Sequence, residues 1–165
     1  MKKYVNRLIL VCALAMLCCG AQAQVKAFNK YVDNKEVSYI YISQLLHSMM
    51  PSEKVKRYAP IDLDALMKKV GGIQIITSLT EAAATALKDD VALVAENDDY
   101  QSVLQLSQDG RKVNIHFKPS TTQISRDAAI LMLTEEEDKT VLITFTGSFT
   151  LEEIKFLSDY ITFKF

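Results

Sequence analysis

Cysteine, glycine and histidine are all scarce in this 165-residue chain, and each scarcity closes off a chemistry. Cys12, Cys18 and Cys19 all precede residue 20, so the rest of the chain has no thiol for a disulfide, a Cys-based zinc site or a nucleophile. The 5 glycines form no G-x-G-x-x-G, no phosphate loop and no G-x-S-x-G elbow. His47 and His116 have no second His or Cys at ligand spacing, which removes H-x-H and H-E-x-x-H sites and makes structural histidine the reading of both. A triad assembled from distant residues has only these two histidines to draw on. Glu135-Glu136-Glu137-Asp138 lacks the D-x-D-x-D-G alternation of a calcium loop and reads as a solvated turn. No metal or cofactor is therefore expected. There is no basic cluster, which argues against nucleic acid or an anionic membrane as partner, and neither repeats nor low-complexity segments occur.

What is present first is an export signal over residues 1–23. Lys2, Lys3 and Arg7 form a basic start, Leu8 to Leu17 is almost wholly apolar, and Ala21-Gln22-Ala23 is an A-x-A site, placing cleavage before Gln24. Lipidation at Cys18 or Cys19 is the rival reading, but Met16 and Leu17 are bulky neighbours for a lipobox. The apolar run is shorter than the ~20 residues a bilayer requires, so no transmembrane span is expected. Cleavage takes the 19 Lys and Arg to 16, against 20 Asp and Glu, a formal net charge of −4. The remaining 24–165 form one domain of about 140 residues, enough to bury a core without cross-links.

Periodicity then supplies the elements. Val25, Phe28 and Val32 recur at helical spacing, a turn follows at Asp33-Asn34-Lys35, and Val37 to Ile42 reads as a central, well-covered strand. Ser43 is placed to cap a helix Gln44 to Met50, and Ser52 to Pro60 is a loop. A second helix, capped by Asp62, carries Leu63, Leu66, Met67 and Val70 and ends at Gly71-Gly72. Strand Ile73 to Thr77 leads to a Ser78/Glu81 capping box and a helix with a buried stripe of Ala83, Leu87, Val91 and Val94. Asp109-Gly110 marks a hairpin. A second hairpin joins Ala128 to Thr146, with Val141, Ile143 and Phe145 facing the core. Thr150 and Glu153 then box the start of a last helix, and Ile161 to Phe165 alternates like a short strand.

The order implies an α+β, two-layer sandwich: a mostly antiparallel sheet of five to six strands with helices packed on one face. The other face is expected to be wet and to carry Gln105, Asn114, His116, Lys118, Thr144 and Thr146 as a candidate binding face.

Three stretches, Tyr39-Ile40-Tyr41-Ile42-Ser43, Gly72 to Ser78, and Leu142 to Gly147 with Leu151-Glu152-Glu153-Ile154, resemble the bacterial domain-of-unknown-function family 4252. The resemblance spans about Phe28 to Tyr160 and implies a shared fold and a place in the cell envelope, as in its small exported or lipid-anchored members of the Bacteroidetes. It brings no catalytic residues. The function expected is a non-enzymatic envelope module that binds a protein or another envelope component. The alternative is a periplasmic ligand carrier or small hydrolase with a pocket between sheet and helices, lined by Tyr39, Tyr41, Met49 and Met50. Oligomeric state is left open.

Overall fold

A computed structural model of the chain describes residues 25–48, 68–122, 125–137, 139–150 and 152. The leader with Ala21, Ala23 and Gln24, the Met49-Met50 pair, the loop Ser52 to Pro60, the helix from Asp62 to Met67, and the closing helix and tail lie outside these residues, apart from helical Glu152. The described elements are a 3-10 helix Lys26–Tyr31, β1 Val37–Ser43, α1 Gln44–Ser48, β2 Val70–Ser78, α2 Glu81–Asn97, β3 Gln101–Gln108, β4 Arg111–Lys118, β5 Ala128–Glu136 and β6 Lys139–Gly147. The strands form one antiparallel sheet in the order β1-β2-β6-β5-β4-β3. No described helix is long and apolar enough to cross a membrane.

The expected α+β architecture is present. α2 packs across β2, β6 and β5. Its stripe is Ala83, Leu87, Val91 and Val94, all buried against Ile76, Leu131, Leu133 and Leu142 of the sheet. The helix start differs from the reading above. Thr80 is the N-cap, accepting the Ala83 amide at 3.1 Å, a contact worth about 1 kcal/mol. Ser78 remains in β2, where its hydroxyl oxygen accepts the Thr140 amide at 2.9 Å. An S-x-x-E match two residues early was the weaker of two caps, because Ser78 is still needed by the sheet.

Four further readings are corrected, two of them because side-chain period does not reveal what lies across from a face. Among the described residues β1 is an edge strand, not a central one, and Ile40 is 49% exposed. Val70 opens β2, so Gly71 and Gly72 lie inside a strand and do not end a helix. The opening helix is 3-10, which repeats every three residues. Val25, Phe28 and Tyr31 are therefore its buried residues, and Val32 is exposed.

The fourth concerns the faces of the sheet. On β6, Leu142, Thr144 and Thr146 are buried beneath the helical layer, and Val141, Ile143 and Phe145 on the opposite face are only half-buried. That opposite face is apolar too, carrying Ile73, Ile130, Val113, Ile115 and Phe117, and Phe149 joins it from beyond β6. Both faces are thus hydrophobic, where a sheet wet on one side would alternate cleanly.

Both hairpins form where the turn chemistry places them. Asp109 and Gly110 have φ of 51° and 80°, the left-handed pair of a two-residue type I′ loop. At the second hairpin, Glu135 pairs with Lys88 at 3.7 Å and Glu136 with Arg111 at 2.7 Å, so half of the acidic tip is already committed to cations.

Candidate functional site

Register across the sheet explains where a cavity can form. One row of directly paired residues runs Lys118, Ala129, Thr146, Gly72 and Ser43 from β4 to β1. Its middle members are small, so this end of the helix-side face is a depression. In the next row, His116, Leu131, Thr144, Gln74 and Tyr41, the middle members Leu131, Thr144 and Gln74 are buried beneath the helical layer. The depression is walled by Val25, by Lys26 and Ala27 of the 3-10 helix, and by Asp98 and Tyr100 after α2. Together they enclose a cleft of about 720 Å³. That volume lies in the range of small-molecule sites.

A saturated polar cluster holds the wall in place. Gln74 is fully buried, and its Oε1 accepts the Val25 amide at 2.9 Å and the Thr144 hydroxyl at 2.8 Å. Its Nε2 donates to the Tyr39 hydroxyl at 3.1 Å and to Asn29 Oδ1 at 3.3 Å. All four hydrogen-bonding positions of the amide are occupied. The Tyr31 hydroxyl donates to Asp90, which also pairs with Lys30 at 2.6 Å, tying the same 3-10 helix to α2.

Within the cleft the cations are the less constrained charges. Asp127 accepts the Ser120 hydroxyl at 2.7 Å and the Thr121 hydroxyl at 2.6 Å. Hydrogen bonding from Ser125, Thr121 and Ser120 holds its carboxyl well below the usual carboxylate range. Arg126 donates to Gln44 Oε1 at 3.1 Å, and Lys118 Nζ stands 5.8 Å from the Tyr100 ring centroid. Among the described residues, neither these two nor Lys26 forms an ion pair. Ser43 is already used as the cap of α1, accepting the Leu46 amide at 3.3 Å.

The aromatic groups stay protonated. Burial, then the charge of Asp98, pushes the Tyr100 phenol up, and burial, then Tyr39, does the same for Tyr41. Tyr31 is raised by burial, by its hydrogen bond to Asp90 and by the charges of Asp90 and Asp89. A raised phenol contributes stability that is complete below the unfolded-state pKa near ~10 and is lost as pH rises through the folded value. Absorbance titration of tyrosinate should accordingly show a late fraction ionising above the ordinary range, and unfolding midpoints should fall over the same alkaline interval.

The six residues of the candidate binding face do share one face, but it is the one the helical layer covers. Thr144 is 1% exposed and spent on Gln74, and Thr146 is buried at the cleft floor, donating to the Gly72 carbonyl at 3.4 Å. Lys118 reaches the cleft rim. Asn114 and His116 are half-buried on β4, and burial lowers the His116 pKa. Gln105 is exposed on the edge strand. Only Lys118 and Thr146 of the six belong to the cleft. Tyr41 of the alternative pocket lines it too, and Tyr39 serves the Gln74 cluster. Sequence reasoning missed Arg126, Tyr100 and Lys26. The run of small residues at Ser43, Gly72, Ala129 and Thr146 was the available signal, legible only once the register is known.

A family model described as Domain of unknown function (DUF4252) matches residues 31–157. The chain belongs to the DUF4252 family. No curated protein and no solved structure matches it at a significant level. The DUF4252 match begins within the 3-10 helix and runs past β6, so it takes in the whole sheet and α2.

Proposed function

We propose that this DUF4252 protein is a non-enzymatic binding module of the cell envelope whose end cleft takes a small anionic molecule with a flat apolar part. The observation that carries the reading is the gathering around one cleft of Lys26, Lys118 and Arg126, which form no ion pair among the described residues and outnumber the lining carboxylates Asp98 and Asp127, with the protonated Tyr41 and Tyr100. Cations supply the attraction, and tyrosine supplies an apolar ring with a hydroxyl donor, the mixed lining that small-molecule sites use. Binding is favoured over hydrolysis because the described lining contains no histidine and its Ser43 hydroxyl is engaged as a helix cap. Export rests on the basic, apolar and A-x-A order of residues 1–23.

The test is a titration of the isotope-labelled protein with benzoate, phenyl phosphate and naphthalene-2-sulfonate, followed by amide resonances. Saturable shifts should centre on Tyr41, Tyr100 and Ala129, and Lys118→Glu should weaken the binding at least about tenfold by reversing a charge at the rim. Shifts scattered over the surface, or binding indifferent to Lys118→Glu, would count against the reading. Intact mass of the exported protein checks the cleavage and any lipid.

A further inference from the structure

We propose that two copies of this chain pair antiparallel through the outer edge of β3, about a two-fold axis at Gln105, so that their sheets become one. Within the described residues nothing hydrogen-bonds that edge. Natural sheets usually blunt an open edge with charges, proline or a bulge. Gln101–Gln108 reads QSVLQLSQ, with neither charge nor proline, and its one irregularity is the bulge at Val103.

Leaving the bulged residue out, the strand reads Gln-Ser-Leu-Gln-Leu-Ser-Gln, the same in both directions about Gln105. An axis normal to the sheet at Gln105 sets Leu104 of each copy opposite Leu106 of the other and matches serine with serine beyond them. The other open edge, β1, has no such centre. About Ile40 only the two tyrosines match, and about Tyr41 only the two isoleucines do.

Backbone direction agrees with this axis. In a two-residue hairpin the residues flanking the loop exchange hydrogen bonds, here Gln108 and Arg111. The ladder alternates from there, so Leu106 and Leu104 bond toward β4, and the N–H and C=O of Gln105 and Ser107 point outward. Gln105 thus offers a donor and an acceptor at the position where a symmetric pair must bond to itself. Leu104 and Leu106 lie on the same face as Val113 and Ile115 and are half-buried in the single copy. Pairing brings four leucines together across the axis and extends the apolar face from one copy into the next.

Sedimentation of the exported protein tests the proposal. The wild-type chain should show twice its sequence mass, dissociating on dilution. Gln105→Lys places two like charges directly opposite and should halve that mass with an unchanged circular dichroism spectrum, since Gln105 is exposed. Ile40→Lys, on the opposite edge, should remain a dimer. A wild-type protein that is monomeric at every soluble concentration overturns the proposal. So does a dimer that survives Gln105→Lys, or one that is lost instead in Ile40→Lys.

Discussion

Replacing Gln74 with alanine is expected to destabilise the fold by about 3–5 kcal/mol, because a buried side chain and four hydrogen bonds go together. The loss falls on identified groups. The Val25 amide and the Thr144 hydroxyl lose their acceptor, and Tyr39 and Asn29 lose a donor. A buried polar group without a partner costs about 1–3 kcal/mol, so the hydrogen-bonding loss exceeds what the missing methylenes alone would give. Gln74→Leu separates the two contributions, since it keeps most of the volume and removes every hydrogen bond. Chemical denaturation of both variants provides the measurement. If Gln74→Leu is as stable as the wild type, the amide is not what holds the 3-10 helix down. The cleft should also respond, since Val25 is part of its wall, and the binding measured at Tyr41 and Tyr100 should weaken in Gln74→Leu while the sheet stays folded.

Gly147→Ala is expected to destabilise the fold far more than Gly110→Ala. A Cβ at this position would stand 2.1 Å from the Lys69 carbonyl oxygen and 2.9 Å from Phe149 Cζ. The first neighbour is backbone, and it already accepts the Ser148 amide at 3.1 Å, so moving it breaks a hydrogen bond that closes the end of β6. The phenylalanine is buried in the apolar cluster on the far face and has little room to retreat. Overpacking of this kind costs about 1–3 kcal/mol and more where backbone must move, which puts Gly147→Ala at or above the upper figure. Gly110→Ala is a different case: nothing lies within 4 Å of its added Cβ, and the penalty there comes only from its φ of 80°. Thermal unfolding of the two variants should rank Gly147→Ala well below Gly110→Ala.

Much of the architecture could be read from local signals because those signals are local in origin. Asp109-Gly110 dictates its turn through backbone sterics, and the Ala83, Leu87, Val91 and Val94 stripe dictates which side of α2 is covered. Strand order was not legible, because β1 and β6 carry similar apolar alternation and yet one lies at an edge and the other in the middle. The wet face was misassigned for a related reason. Threonine and glutamine look solvated in a sequence, but Thr144 and Gln74 satisfy each other at 2.8 Å and so can be buried. Hydrogen-bond pairing 70 residues apart in the chain leaves no trace in periodicity. The cleft was hidden by the same gap, since Ser43, Lys118, Ala129 and Thr146, which line it, come from four different strands.

The attachment of Val25 has a bearing on orientation. This residue is buried and hydrogen-bonded to Gln74 and is also part of the cleft wall, so the first described residue of the chain lies at the proposed binding site. Five residues lie between it and Cys19, a tether of at most about 20 Å when fully stretched. A chain fastened to a lipid leaflet at that cysteine would hold its opening toward the bilayer surface and its Asp109-Gly110 turn elsewhere, whereas a freely diffusing form would sample every approach. If the chain is exported as proposed, lipidation would therefore decide which molecules reach Tyr41 and Lys118 first.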